Sequence, residues 1–160
     1  MKIGFGYDSH RLATGRRLVL GGKEIPHEKG LMGHSDADVL IHAVCDAILG
    51  AAGLGDIGRQ FPDTDPAYRD IASLVLLERV RTLADAKGFR IRNVDSTVVL
   101  EKPKLATHLS EMAENIAGVL RIPALQVSVK AKTNEGMGLV GAGEGAVAFA
   151  VVLVEDGDAA

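Results

Sequence analysis

Apolar and polar positions change rhythm several times along this chain. Residues 3–7 alternate with the two-residue period of a short strand. Leu18-Val19-Leu20 stands across Gly21-Gly22 from Lys23-Glu24-Ile25, which predicts a hairpin. From Ser35 the period lengthens. Ser35, with Asp38 three residues on, reads as an N-cap, and Val39, Leu40, Ala43, Val44, Ala47, Ile48 and Ala51 follow at helical spacing up to Gly53. The segment 55–66 mixes glycine, proline and aspartate without either period and is expected to be a loop. A second helix is predicted over 71–87, with Leu74, Leu77, Val80 and Leu83 on one face and Gly88 as its C-cap; a strand over 91–100 follows. Thr107 offers a cap for a third helix, in which Leu109, Met112, Ala113, Ile116, Ala117 and Leu120 form an apolar stripe that Pro123 ends. Leu125, Val127, Val129 and Ala131 alternate with polar residues, as in a strand with one buried face, whereas the apolar run 146–154 predicts a strand buried on both faces. Residues 155–160 are expected to fray.

This order, β, hairpin, α, α, β, α, β, β, without internal repeats, predicts one α/β (α+β) domain over 1–160 in which helices cover a mixed sheet. A two-layer domain leaves one sheet face bare, and burial against identical subunits is the simplest cover for it. The length of 160 residues suits a single domain of roughly 100–200 residues. With 47% hydrophobic and 24% charged residues the chain folds around a core rather than staying disordered. Lys+Arg number 18 against 21 Asp+Glu, a net charge of −3, so there is no positive field to hold a nucleic acid. The single cysteine, Cys45, excludes an internal disulfide and a thiolate metal site and suits the reducing cytoplasm. Asp8 interrupts the first apolar segment before a secretory signal can form, and no uncharged apolar run approaches the roughly 20 residues that span a bilayer. A membrane is therefore not an expected partner.

Candidate chemistry begins at Asp8 and His10, spaced i and i+2, which puts both side chains on one face if the strand continues. His42 lies inside an otherwise apolar helix, with Asp38 and Asp46 one turn away on either side. Two imidazoles and a carboxylate make the three-ligand set of a catalytic zinc site with an open fourth position; the alternative is a hydrogen-bonded core histidine and an ordinary turn. Asp46 is placed to orient a ligand imidazole, or else is a solvated carboxylate. His34-Ser35 at a helix start offers an anion site, which plain capping by Ser35 would also explain. Asp56, Asp63 and Asp65 suit either a polyol or Asx turns. Residues 136–141 match G-x-G-x-x-G, but a β run follows where a dinucleotide site needs a helix, so that reading is rejected. Lys132, Thr133 and Glu135 supply a cation, a hydroxyl and a carboxylate suited to phosphates and a hard divalent ion, or form a solvated strand end. The Lys102-Pro103-Lys104 loop could meet a nucleotide.

Taken together, GYDSHRL, GLMGHSDADVLIHAVCDAILGAAGLGDIG, FPDTDP, NVD, KTNEGMG and GEG resemble the 2-C-methyl-D-erythritol 2,4-cyclodiphosphate synthase family over most of the chain. The resemblance implies a chorismate-mutase-like fold and a cytoplasmic homotrimer with active sites between subunits. It implies that Asp8, His10 and His42 bind zinc and that Glu135 binds magnesium or manganese. His34 and Thr133 would stabilise the transition state. The methylerythritol phosphate would lie among Asp8, Ser9, His10, His34 and Ser35 and against Asp56, Ile57, Gly58, Phe61, Pro62, Asp63, Thr64 and Asp65. The cytidine diphosphate would be held by Leu100, Glu101, Lys102, Pro103, Lys104, Leu105 and Ala106 of a neighbouring subunit, with its Ala131, Lys132, Thr133 and Asn134. The implied reaction is a cyclising phosphorus–oxygen lyase step in which a 2-phosphate expels CMP from a diphosphate. Ala142 and Leu139 stand where many members carry an arginine and an aromatic residue, so a lipid diphosphate site on the trimer axis is not carried over. Two further readings remain open: a zinc-dependent nucleotide phosphodiesterase, and a non-catalytic trimeric ligand-binding protein.

Overall fold

The structure, a computed structural model, describes residues 1–157. Twelve elements follow in chain order: β1 (Lys2–Thr14), β2 (Leu18–Leu20), β3 (Lys23–Ile25), β4 (Lys29–Leu31), α1 (Val39–Ala52), α2 (Ile57–Gln60), α3 (Ser73–Ala86), β5 (Phe89–Val99), α4 (Leu109–Leu120), β6 (Val127–Lys132), α5 (Gly138–Gly141) and β7 (Gly145–Asp156). Short 3-10 turns occupy Pro66–Tyr68, Ala106–His108 and Ala124–Gln126. The main sheet runs β4-β1-β7-β5-β6, antiparallel except for the β5-β6 pair, and β2 and β3 form a separate hairpin. The mixed sheet expected from the sequence is therefore present. Helices α1, α3 and α4 cover one face of it, and the buried core lies between the two layers. Among the described residues no helix is long and apolar enough to cross a membrane.

Small residues determine how closely the layers meet. Gly4 and Gly6 of β1 face α1, and a Cβ on either would fall 1.8 Å from Ala47 O or 1.9 Å from Ala43 O. Their register partners on β7, Val152 and Ala150, and the next inward residue, Ala148, are fully buried. The helix backbone thus rests on the strand backbone, and this brings His42, on the next turn, down to the level of Asp8. The opposite face is different: Ile3, Phe5 and Tyr7 are 72%, 64% and 51% exposed, beside Phe149 and Val151 at 37% and 42%. Phe149 contacts both Phe5 and Tyr7, with ring centroids 6.4 and 5.4 Å apart. At the far pole the Met1 ammonium pairs with Asp156 at 3.3 Å.

Several expectations need correction. The first strand extends from Lys2 to Thr14, because β7 pairs with it along its length as far as Arg11, so Asp8 and His10 lie within a strand. The N-cap of α1 is Asp38, not Ser35: its side chain accepts from the Ile41 N–H at 3.1 Å, and from Gly21 and Gly22 of the hairpin. Residues 55–66 hold the helical turn α2 rather than loop alone, capped by Asp56. In α3 the buried apolar side chains are Leu76, Leu77, Val80 and Ala84, while Leu74 and Leu83 are half-buried. Thr107 belongs to a 3-10 turn and caps nothing. Leu125 is 97% exposed in the turn preceding β6, which begins at Val127. Strand β7 alternates instead of being buried on both faces, since helices cover only one side of it. It also continues through Glu155 and Asp156, which therefore do not fray; residues 158–160 lie outside the described residues.

Candidate functional site

On β1 the inward-facing row Gly4, Gly6, Asp8 and His10 runs under α1, and past its end the glycines give way to the two polar side chains. Asp8 Oδ2 stands 2.9 Å from His10 Nε2 and 3.0 Å from His42 Nδ1, and the two nitrogens are 3.2 Å apart. The donor set fits a metal ion: bonds of about 2.0–2.1 Å at tetrahedral angles leave ligand atoms roughly 3.3 Å from one another. The tautomers agree with this. His10 Nδ1 lies 2.6 Å from the Met32 carbonyl, so its N–H donates there and Nε2 presents a lone pair. His42 Nε2 lies 3.2 Å from Ser35 Oγ and 3.4 Å from Ser73 Oγ, leaving Nδ1 to face Asp8. The loop passes close over His10 at Gly33, where a Cβ would approach the ring to 3.0 Å. Among the described residues these three form a group able to hold an ion.

The electrostatics favour an ionised Asp8. Burial works to raise its carboxyl, but when the two rings, His10 and His42, are protonated on the nitrogens that face it, their hydrogen bonds and charge outweigh burial and hold the group at about 2. His10 is raised: desolvation lowers it, and the hydrogen bond and charge of Asp8 more than compensate. Asp46 is raised mainly by burial.

A cavity of 480 Å³ opens beside this group, walled by His34, Ser35, Ile57, Gly58, Phe61 and Asp63, with Asp46 and Tyr68 also reaching it. Not every expected side chain points into it. Asp46 Oδ1 accepts the Ile57 N–H at 2.8 Å instead of orienting an imidazole, a role filled by Met32 O, Ser35 and Ser73. Asp56 caps α2 through the Arg59 N–H, and Asp65 caps the Pro66–Tyr68 turn through Ala67 N–H, so of the three loop aspartates Asp63 alone lines the cavity. Pro62 and Thr64 stand outside its wall.

The second expected half of the site lies elsewhere on the chain. Asp8 pairs with Ala148, Ala148 with Val98, and Val98 with Ala131. Ala131 is thus three strand spacings, roughly 14 Å, from Asp8. There, at the ends of β5 and β6, Thr133 Oγ1 donates to Glu135 Oε1 at 2.7 Å, and the Leu100 N–H donates to Lys132 O at 2.9 Å. Leu100 and Leu105 are buried in the core, so that segment can offer a ligand its backbone and its Lys102 and Lys104 side chains but not those two. Sequence reasoning missed Met32, whose carbonyl leaves no side-chain signal, and Ser73, whose place at a helix start was legible but not its reach to His42.

The YgbB family model matches residues 1–155. A 2-C-methyl-D-erythritol 2,4-cyclodiphosphate synthase of Syntrophomonas wolfei is 61% identical over 155 residues, which are 97% of this chain and 99% of that protein. One of Syntrophus aciditrophicus is 58% identical over 98% of both chains. Among solved structures, a 2C-methyl-D-erythritol-2,4-cyclodiphosphate synthase in its CDP-bound form superposes with a TM-score of 0.89 at 40% identity, covering 96% of this chain and 100% of the other. The bifunctional IspDF of Campylobacter jejuni superposes with a TM-score of 0.93 at 39% identity, over 97% of this chain and 42% of that longer one. With its glycine-floored Asp8, His10 and His42 centre and these relatives, the chain belongs to the YgbB family, whose members compared here are 2-C-methyl-D-erythritol 2,4-cyclodiphosphate synthases.

Proposed function

We propose that this chain converts 4-diphosphocytidyl-2-C-methyl-D-erythritol 2-phosphate to 2-C-methyl-D-erythritol 2,4-cyclodiphosphate with release of CMP, a lyase step of the non-mevalonate route to isoprenoids. The observation that carries this reading is the convergence of Asp8, His10 and His42 at 2.9–3.2 Å on the wall of the cavity. A 2-phosphate oxygen attacks the β-phosphorus, the bond from that phosphorus to the bridging oxygen breaks, and CMP carries the electron pair away. Asp8, His10 and His42 hold zinc and Glu135 holds magnesium or manganese, ions that supply neutralising charge to the phosphates. His34 and the buried Ser35 fix the 2-phosphate end, and Ile57, Gly58, Phe61 and Asp63 enclose the erythritol and exclude water. Lys132 and Thr133 hold the diphosphate, and Thr133 with His34 stabilises charge that develops during transfer. The loop from Leu100 to Ala106 receives the cytidine.

The working unit is a cytoplasmic, chorismate-mutase-like homotrimer. Two features support it. The apolar face of Ile3, Phe5, Tyr7, Phe149 and Val151 has no cover among the described residues. In addition, Thr133 and Glu135 lie too far along the same sheet to reach the phosphates held at Asp8, so a neighbouring copy supplies them. The test is phosphorus NMR of the protein with this substrate, zinc and magnesium, beside His42→Ala. CMP with a cyclic diphosphate, lost in the variant, is expected; CMP with a linear product would instead identify a phosphodiesterase, and no turnover by a folded, metal-loaded protein would leave a binding protein.

A further inference from the structure

Glu101 stands near the start of the loop proposed to receive cytidine, yet its carboxylate is already engaged. Oε2 accepts the Asn134 N–H at 3.0 Å and Oε1 accepts the Gly136 N–H at 3.3 Å. These two amides flank Glu135, whose φ of +51° is a left-handed conformation that a residue with a side chain holds only when its surroundings impose it. Asn134 adds a local brace, donating from Nδ2 to the Met137 carbonyl at 2.8 Å. Inside this clamp the Thr133 hydroxyl meets Glu135 Oε1. Charged acceptors make the stronger hydrogen bonds, and a free carboxylate in the same place would repel a diphosphate.

We infer that Glu101 is a positioning residue for the cyclisation: its carboxylate grips both sides of Glu135 and fixes the backbone that sets the Glu135 carboxylate against Thr133. Through it the cytidine loop and the diphosphate turn become one rigid unit, so binding the nucleoside at one end places phosphate-handling groups at the other. This rests on the roles proposed above for Thr133 and Glu135.

The test compares Glu101→Ala, Glu101→Gln and Glu135→Gln in the full-length protein, with three readouts. They are CMP release against substrate and magnesium concentration, amide hydrogen exchange at Asn134 and Gly136, and thermal unfolding. Misplacing a reacting group by about 1 Å costs on the order of a hundredfold, so kcat in Glu101→Ala should fall by about tenfold to a hundredfold. The magnesium requirement should rise, KM and unfolding should change little, and both amides should lose protection. Glu101→Gln keeps one of the two acceptor oxygens, so it should protect one amide only and recover part of kcat, between Glu101→Ala and the parent. Lost protection with unchanged kcat would overturn the positioning role while leaving Glu135 in place. A rise in KM alone would make Glu101 a substrate contact and overturn the positioning role. Undiminished turnover in Glu135→Gln would overturn the reading of Glu135 itself, and the role of the clamp with it.

Discussion

Ser35 Oγ accepts the Ala37 N–H at 3.1 Å and lies 3.2 Å from His42 Nε2, so one hydroxyl fixes both a loop and the tautomer of a proposed zinc ligand. Partners of this kind typically contribute tenfold to a hundredfold in metal affinity. Ser35→Ala should therefore weaken zinc binding by at least about tenfold in a chelator competition, with the fold intact by circular dichroism. Asp38 gives a second prediction. Burial pushes its carboxyl up to about 6, against the lowering by the Gly22 and Ile41 N–H groups and with a further rise from the charge of Asp36. A carboxyl raised in the folded state stabilises the fold while protonated. That contribution is complete below the ordinary value of 3.8 and is lost as pH climbs through about 6. Urea unfolding of the wild type minus that of Asp38→Asn should fall by up to about 3 kcal/mol between pH 4 and pH 7; a flat difference would refute it. At this scale the residue types that could hold an ion were legible, a histidine in an apolar helix and a D-x-H at the first strand, but the spacing fitted an ordinary turn and a core histidine equally, and only the fold brings Asp8, His10 and His42 together. The sequence hid Asp38, because a capping aspartate and a solvated one have the same letters around them.

At the scale of elements, the periods at 109–120 and 127–132 were readable because each element buries a single face, whereas α1 is buried nearly all round and was legible from its apolar length between a cap and Gly53. The short strand β4 carries too few residues for any period, and β7 misled because Val147, Phe149, Val151 and Leu153 on its bare face look like core. Gly4 and Gly6 were visible only as flexible letters, although their role is one of volume. Gly6→Ala should lift α1 from β1, since its methyl would enter the Ala43 carbonyl at 1.9 Å. Overpacking of this kind costs about 1–3 kcal/mol or more. A lower urea midpoint accompanied by weaker zinc binding is expected, because His42 rides on the displaced helix; a lower midpoint with unchanged zinc affinity would separate the packing from the centre.

For the whole molecule, the uncovered apolar face is the feature on which the proposed trimer rests, and the sequence signalled the need for a cover without saying which side chains would meet. Phe5→Glu or Val151→Glu should reduce the mass in light scattering from three chains to one and abolish turnover, as two half-sites part company. Mixing refolded His42→Ala with Glu135→Gln offers a sharper check. Each is inactive alone, but if every site draws its zinc ligands and its Glu135 from different chains, random trimers restore about a quarter of the parental activity; no restoration would place both halves in one chain. The pairing of the Met1 ammonium with Asp156 bears on handling the protein. Lys2 and Val154 are register partners, six residues along β1 from Asp8 and so roughly 20 Å away from it. Both described ends of the polypeptide leave from one pole. An affinity tag or fluorophore tethered at Met1 would therefore start about 20 Å from Asp8, behind the cavity and on the side away from substrate entry.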